Sequence, residues 1–156
     1  MAMTETPSPT DLATMLNARR GGFNELIGLT FTSATLEKVE ATLELGPQHT
    51  QPYGIVHGGL YATIIETLCS TGAAIHVFSS GKGVVGLENQ TSFLRASRGG
   101  TLRANATPLK TGRSSHVWRA EVRDDQGRVL ATGQVRLMVL DEGSKVAGEA
   151  VKPGGA

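Results

Sequence analysis

The segment from residue 51 to residue 70 holds the densest group of residues that could do chemistry. It opens with Gln51-Pro52-Tyr53-Gly54-Ile55-Val56-His57-Gly58-Gly59 and continues as a mostly apolar stretch that contains Glu66. A glycine at a helix start can offer a free backbone N–H to a carbonyl oxygen that gains negative charge, because no side chain blocks the approach and the helix dipole favours an anion there. Gly58 has this position. The motif therefore suits hydrolysis of an acyl compound.

Glu66 supplies the second requirement of such a reaction, a carboxylate that attacks the carbonyl carbon or activates water. It is the one acidic residue between Glu44 and Glu88. Its helical neighbours Ile64, Ile65 and Leu68 would remove water from it and make it a stronger base. A single acid on a helix more often pairs with a cation or faces solvent. The glycine motif beside it favours catalysis.

The spacing of these two residues predicts a shared site. Gly58 and Glu66 are eight residues apart. At a helical rise of about 1.5 Å per residue they lie about 12 Å apart, which is too far to serve one carbonyl group. We therefore expect a homodimer in which Gly58 of one subunit faces Glu66 of the other, with two active sites related by symmetry.

The elements that must position this motif follow from periodicity. A short helix is predicted over Asp11–Arg19, with Thr10 or Asp11 as its cap, and a long buried helix over Gly58–Phe78. Alternation predicts a strand through Ile27, Leu29 and Phe31 and another over Val39–Leu45. Four further strands are separated by turn sequences: Val84–Arg95, Leu102–Leu109, Ser115–Arg123 and Val129–Leu140. This order predicts an α+β domain whose antiparallel sheet wraps around the long central helix.

Length and composition set the boundaries and exclude several classes. We expect a disordered leader over residues 1–9, one domain over 10–141 and a flexible tail over 142–156. The chain is 39% hydrophobic with a formal net charge of +1, which offers no strong field for nucleic acid or a membrane. Polar residues interrupt the most apolar stretch, so we expect no membrane span. The single cysteine, Cys69, and the absence of a signal pattern favour the cytoplasm.

The motifs also resemble a known family. Gly54-x-x-His57-Gly58-Gly59 followed by a helical Glu66 resembles the hotdog-fold acyl-CoA thioesterases of the phenylacetate-pathway and aryl-CoA kind. The likeness covers roughly residues 20–140 and includes Val84-Val85-Gly86-Leu87-Glu88, Phe93-Leu94-Arg95, Gly112-Arg113 and Asp125-x-Gly127-x-Val129. It is nearest to the 1,4-dihydroxy-2-naphthoyl-CoA thioesterases and the enterobactin-pathway proofreading thioesterase. The resemblance implies a hotdog fold, cofactor-free hydrolysis of an acyl-CoA, and homodimers that pair further as a dimer of dimers.

The same resemblance implies roles for individual residues. Glu66 would be the nucleophile or general base, Gly58 the oxyanion donor, Gln51 an amide that holds the thioester or water, and Ser70 a hydroxyl that assists the carboxylate. We expect His57 to position the loop, with acid–base work as the alternative. Residues predicted to bind coenzyme A are Gly59, Arg95, Gly112, Arg113 and Ser114. Relatives often carry proline where this chain has Ala96 after Arg95. Phe93 and Tyr53 are candidates for the acyl pocket.

Other functions fit the sequence less well. A hotdog dehydratase needs a differently placed histidine and acid. A non-catalytic acyl-CoA sensor would have no need for Glu66, Gln51 and Ser70 together. A zinc site is not predicted, because His49 and His57 lack a third ligand at a recognised spacing. The identity of the acyl group stays open between an aromatic group, including a naphthoyl group, and a medium or long fatty chain.

Overall fold

The computed structural model describes residues 8–152. The helices are α1 (Pro9–Ala18), α2 (Gly22–Leu26) and α3 (Gly58–Phe78), with a short 3-10 turn over Pro47–His49. The strands are β1 (Thr30–Ala34), β2 (Val39–Glu44), β3 (Gly83–Phe93), β4 (Thr101–Thr111), β5 (Ser115–Arg123), β6 (Val129–Leu140), β7 (Lys145–Val146) and β8 (Glu149–Ala150). The central helix and the four strands that follow it lie where the hydrophobic periodicity predicts them.

Six of these strands form one antiparallel sheet in the order β1-β2-β4-β5-β6-β3. The sheet wraps around α3, whose Ile64, Ile65 and Leu68 are buried in the core. Gly72 of α3 lies against the indole of the buried Trp118 of β5, where no side chain would fit. The predicted α+β hotdog architecture is confirmed.

By length and composition α3 could cross a membrane, since its mean hydropathy over 18 residues is 1.2. Half of that window is buried inside the protein, where the helix packs against the concave face of the sheet. The core helix of a protein outside membranes passes the same test of length and composition.

The start of the chain departs from the sequence prediction. The first helix begins at Pro9, one residue inside the predicted leader, and its cap is Ser8 rather than Thr10 or Asp11. The Ser8 hydroxyl accepts the backbone N–H of Asp11 at 3.2 Å, and the Asp11 carboxylate accepts the N–H of Ser8 at 3.2 Å. This reciprocal capping box explains the earlier start. Residues 1–7 of the predicted leader lie outside the described residues.

The predicted strand through Ile27 is wrong at its beginning. Residues Gly22–Leu26 form α2, Ile27 is its C-cap, and β1 starts only at Thr30. Ile27, Leu29 and Phe31 are nevertheless all buried. Alternate burial is therefore preserved across a change from helix to strand, and hydrophobicity alone does not reveal that change.

Regular structure also continues past residue 141. Strands β7 and β8 form a hairpin whose turn has positive φ angles at Ala147 (51°) and Gly148 (85°). The side chain of Val151 then lies against Gly83 at the start of β3. The first part of the predicted tail thus contains a hairpin and contacts the sheet, and residues 153–156 lie outside the described part of the chain.

Candidate active site

Glu66 lies in the middle of α3 with both carboxylate oxygens hydrogen-bonded. The Ser70 hydroxyl, one turn later on the helix, donates to Oε1 at 3.1 Å. The Asn89 Nδ2 amide, from β3, donates to Oε2 at 3.0 Å and to the carbonyl oxygen of Ala62 at 3.1 Å. The carboxylate is half-buried, so its remaining lone pairs are accessible. A substrate or water molecule that enters from solvent can therefore reach the Glu66 carboxylate, whose orientation is fixed by its hydrogen bonds from Ser70 and Asn89.

The carboxylate faces a cleft of about 570 Å³ between α3, β3 and α2. The cleft is lined by Phe23, Ala62, Thr63, Glu66, Thr67, Asn89, Thr91 and Phe93. The hydroxyl of Thr67 donates to Asn24 Oδ1 at 2.9 Å, which ties α2 to the central helix. Two aromatic rings and an alanine give the cleft an apolar part beside the polar groups around Glu66. This combination suits an acyl group that carries a reactive carbonyl.

The strand opposite Glu66 contains a β-bulge. The register with β6 shifts between Gly86 and Glu88, which leaves Leu87 as the extra residue. As a result Gly86 and Asn89, three positions apart, both face Glu66. A Cβ atom at Gly86 would lie 2.6 Å from Glu66 Oε1, so glycine is what leaves room for the carboxylate.

Substituting Gly86 with alanine should therefore displace the Glu66 carboxylate. Because the new methyl group meets the flexible end of a side chain, we expect thermal stability close to that of the wild type. Activity should fall about 10- to 100-fold, as is typical when a reacting group is displaced by roughly 1 Å. Gly99→Ala is the matched control, since nothing lies within 4 Å of its Cβ position. Steady-state kinetics on both variants checks this, and full activity of Gly86→Ala would contradict it.

The second half of the candidate site is the N-terminus of α3. His57 is the N-cap, and its Nδ1 accepts the backbone N–H of Gly59 at 2.8 Å. The N–H of Gly58 has no acceptor within residues 8–152. A Cβ atom at Gly58 would lie 2.7 Å from the Phe93 ring, so the ring rests directly on the glycine. The histidine thus occupies one helix-start donor, and the neighbouring donor is left free for a ligand.

The loop before α3 is fixed by a buried histidine. His49 Nδ1 accepts the N–H of Gly46 at 2.9 Å, and its Nε2 donates to the carbonyl oxygen of Ile27 at 3.0 Å. The carbonyl oxygen of His49 accepts the N–H of His57 at 2.9 Å. The position of the helix start therefore depends on His49, for which the sequence predicted no role once a zinc site with His57 was rejected.

Gln51 belongs to the same loop. Its side-chain oxygen accepts the backbone N–H of Tyr53 at 2.6 Å, and the Arg98 guanidinium donates to the carbonyl oxygen of Tyr53 at 2.9 Å. Tyr53 itself is 82% exposed and does not line the Glu66 cleft, whereas Phe93 does. Of the two aromatic candidates for the acyl pocket, the structure brings only Phe93 to the cleft.

The Glu66 cleft is lined by none of the residues predicted to bind coenzyme A, which are Gly59, Arg95, Gly112, Arg113 and Ser114. Arg95 is exposed just beyond β3. Gly112 and Arg113 line a second cleft of about 300 Å³ near the C-terminal end of α3, and Ser114 follows in the same turn. His116 also lines that cleft, and burial together with the nearby His76 lowers the pKa of its imidazole.

Cys69 lies close to Glu66 but is fully buried. Burial raises the pKa of its thiol, and the negative charge of Glu66 raises it further. A thiol held neutral in this way is a poor nucleophile, which agrees with a packing role.

The sequence predicted no site role for Asn89, Thr91 or Phe23, and it indicated Gly86 only as part of the family-like segment over residues 84–88. Asn89 and Thr91 lie on a strand whose alternation is broken by the bulge, and Phe23 lies on the unpredicted α2. The broken alternation along β3 is the sequence signal that could have identified the site residues on that strand. β3 is the strand with the most exposed residues in the sheet, as a strand beside a cleft can be.

Known proteins match both the sequence and the fold. A family model described as the thioesterase superfamily matches residues 53–131. A Mycobacterium tuberculosis protein named as an esterase is 39% identical over 121 residues, covering 76% of this chain and 86% of the relative. The proofreading thioesterase EntH of Cronobacter sakazakii is 34% identical over 120 residues, covering 77% of this chain and 87% of the relative.

Solved structures agree. Thioesterase HI1161 of Haemophilus influenzae superposes with a TM-score of 0.77 at 26% sequence identity, covering 90% of this chain and 96% of that chain. The fold family and the thioester hydrolase activity expected from the sequence motifs are both confirmed. The chain belongs to the thioesterase superfamily, as a hotdog-fold thioester hydrolase.

Proposed function

We propose that this protein hydrolyses an acyl-CoA to the free acid and coenzyme A, with Glu66 as the reacting carboxylate and the Gly58 N–H as the oxyanion donor. The observation that carries this proposal is the pairing of two features of α3. Its middle presents a carboxylate oriented by Ser70 and Asn89 in an open cleft, and its N-terminus presents an unused backbone donor. Thioester hydrolysis needs both, because a group must attack the carbonyl carbon while charge builds on its oxygen.

Two chemical routes use this carboxylate. As a general base, Glu66 takes a proton from water while the water oxygen bonds to the carbonyl carbon. As a nucleophile, a Glu66 oxygen forms that bond, and water then hydrolyses the resulting anhydride. In either route the C–S bond breaks, and the coenzyme A thiolate takes up one proton as it leaves. Gln51 and Ser70 would assist by holding the thioester or water, and His57 by fixing the helix start.

A dimer would complete the site. Gly58 and Glu66 are separated by about 12 Å along one helix. Strand β3 lies at one edge of the sheet and carries two exposed large apolar residues, Leu87 (47% exposed) and Phe93 (59% exposed). A free sheet edge with exposed apolar side chains favours pairing with a second copy. We propose a homodimer with two shared sites, which pairs further as a dimer of dimers.

The chemistry of the cleft favours an aromatic acyl group. The apolar lining of the cleft is formed by Phe23 of α2, Phe93 of β3 and Ala62 of α3. Aromatic rings pack well against a planar aryl group, and a 1,4-dihydroxy-2-naphthoyl group is one of this kind. The named proofreading thioesterase among the relatives acts in the same broad class of reaction. Arg95, Gly59 and the Gly112–Ser114 turn would hold the phosphates of coenzyme A, from whichever subunit brings them to the cleft.

A panel of acyl-CoAs tests the proposal. Purified protein is incubated with aryl-CoAs, naphthoyl-CoAs and fatty acyl-CoAs of increasing length, and release of free thiol is followed over time. We expect turnover with the aromatic members at the highest kcat/KM. Binding of acyl-CoA without thiol release would support a non-catalytic sensor instead, and a preference for long chains would support a fatty acyl-CoA thioesterase.

Phe23 gives a sharper test of the acyl pocket. Phe23→Ala removes an aromatic wall of the cleft, so KM for an aromatic acyl-CoA should rise about tenfold while kcat stays within a few-fold. KM for acetyl-CoA should change little, because a short acyl group does not reach the ring. Leu26→Ala is the matched control, since Leu26 lies on the same helix, is 75% exposed and does not line the cleft. Equal effects on aromatic and short substrates would contradict the assignment.

A further inference from the structure

The contacts of Asn89 go beyond those of an ordinary strand residue. Its Nδ2 amide has two hydrogens, and both are used on α3, at the Glu66 carboxylate (3.0 Å) and at the Ala62 carbonyl oxygen (3.1 Å). Its Oδ1 accepts the Thr91 hydroxyl at 2.6 Å. We propose that Asn89 is the positioning residue of Glu66, which holds the carboxylate in its reactive orientation. This inference rests on the proposed role of Glu66.

The partners fix which way the amide points. The Glu66 carboxylate and the Ala62 carbonyl oxygen can only accept, so the NH₂ group must face them. With the amide flipped, Oδ1 would face two acceptors, and both hydrogen bonds to α3 would be lost. With the NH₂ group facing α3, Oδ1 accepts the hydroxyl of Thr91 through one of its two lone pairs. Each polar atom of the Asn89 side chain thus has a partner, and the side chain has one favourable orientation.

The geometry explains why a strand residue suits this task. Ala62 and Glu66 are one helical turn apart, so Asn89 spans that turn and sets the carboxylate relative to the helix backbone. Ser70 holds Oε1 from the opposite side. An amide does not ionise, so it donates to the carboxylate at every working pH. Neighbouring elements that hold a reacting group rigidly keep that group aligned before the substrate binds. The rate then does not depend on substrate binding to align the group.

The first test is Asn89→Ala, measured with the acyl-CoA that gives the highest turnover. Without the hydrogen bond from Asn89, the charged Glu66 carboxylate is less often in its reactive orientation, so kcat should fall about 10- to 100-fold. KM should stay within about twofold, because the amide holds Glu66 and not the substrate. Gln90→Ala is the matched control, since Gln90 is the next residue on β3 and bonds Glu88 instead. A wild-type kcat in Asn89→Ala would overturn the proposal.

The second test is the isosteric Asn89→Asp, which keeps the volume and removes the donor. Two carboxylates would then face each other, so kcat at neutral pH should fall below that of Asn89→Ala. As the pH is lowered from about 8 to about 6, a proton shared by the pair restores a donor, and the ratio of variant to wild-type kcat should rise. A ratio that does not change with pH would overturn the proposal.

Cys69 on α3 and Glu88 on β3 are neighbouring titratable groups that the pH readout must take into account. On α3 the other titratable group near Glu66 is the Cys69 thiol, whose pKa burial raises, so it stays neutral. On β3 the Glu88 carboxylate accepts from Gln90 at 3.1 Å and lies 3.5 Å from Arg136. Glu66→Gln distinguishes a failure of the proposed function from a failure of the positioning role. If Glu66→Gln stays active, the proposed function fails; if it is inactive while Asn89→Ala keeps full kcat, only the positioning role fails.

Discussion

Replacing Glu66 with glutamine should lower kcat for acyl-CoA hydrolysis by about 1,000-fold or more, the largest effect expected for a single substitution in this protein. Glutamine has nearly the same shape but is neither a base nor a nucleophile. Its amide can turn so that oxygen faces Asn89 and nitrogen faces the Ser70 hydroxyl, which accepts as well as donates. The local hydrogen bonds therefore survive, and only the chemistry is removed.

Two further measurements on Glu66→Gln separate a loss of chemistry from a loss of binding or of folding. The Kd of a non-hydrolysable thioether analogue should stay within a few-fold of the wild type, and the thermal unfolding midpoint should be unchanged or slightly higher. Asp124, a carboxylate held by Arg128 on the far turn, offers a control for a general loss of acidic charge through Asp124→Asn. That variant should lose stability rather than kcat. Wild-type turnover by Glu66→Gln would remove Glu66 from the reaction.

The second large effect is expected from mixed dimers. Glu66→Gln and Gly58→Pro subunits should each be inactive alone, the second because proline has no N–H. In a heterodimer the intact Gly58 of one chain meets the intact Glu66 of the other, and both lesions fall in the second site. Random mixing makes half of the dimers mixed, with one working site of two, so about a quarter of wild-type activity should return.

Gly58→Ala is the control that isolates the N–H. It brings the same Cβ atom against the Phe93 ring as proline does, but it keeps the donor. Proline is also well tolerated at the first helical position. Gly58→Ala should therefore retain clearly more activity than Gly58→Pro. Refolding the two inactive subunits together and finding no recovery would mean that each site is built from one chain.

The sequence predicts the scaffold well because its signals are long. α3 has more than five turns of mostly apolar residues that begin at a glycine motif, and buried residues recur at every second position over much of β4 and β5 and at Val135 and Leu137 of β6. Such periodicity arises because the buried positions must be apolar, and burial of apolar side chains makes the largest favourable contribution to the free energy of folding. The predicted helix Gly58–Phe78 and the predicted strands Ser115–Arg123 and Val129–Leu140 have the observed bounds.

The surroundings of Glu66 were less predictable for an equally physical reason. Glu66 and Gly58 stand out because their residue types are unusual at those positions of a mostly apolar helix. Asn89 acts instead through its contact with Glu66, which lies 23 positions away in the chain. No local pattern encodes that contact. Phe23 depends on a five-residue helix too short to produce a periodic signal. Glu66 and its helix could thus be inferred, whereas the groups that orient it could not.

The bulge at Leu87 sets the phase of β3. In an unbroken strand, residues an even number apart share a side, and Leu87 would stand with Asn89 over the helix. A leucine would then fill the space of the carboxylate, and Gly86 would turn away. The one extra residue instead brings a glycine and an asparagine to the same side. Deleting Leu87 alone would remove the bulge and still leave Gly86 two positions before Asn89, so both would keep the same side of an unbroken strand and the site would stay open and polar.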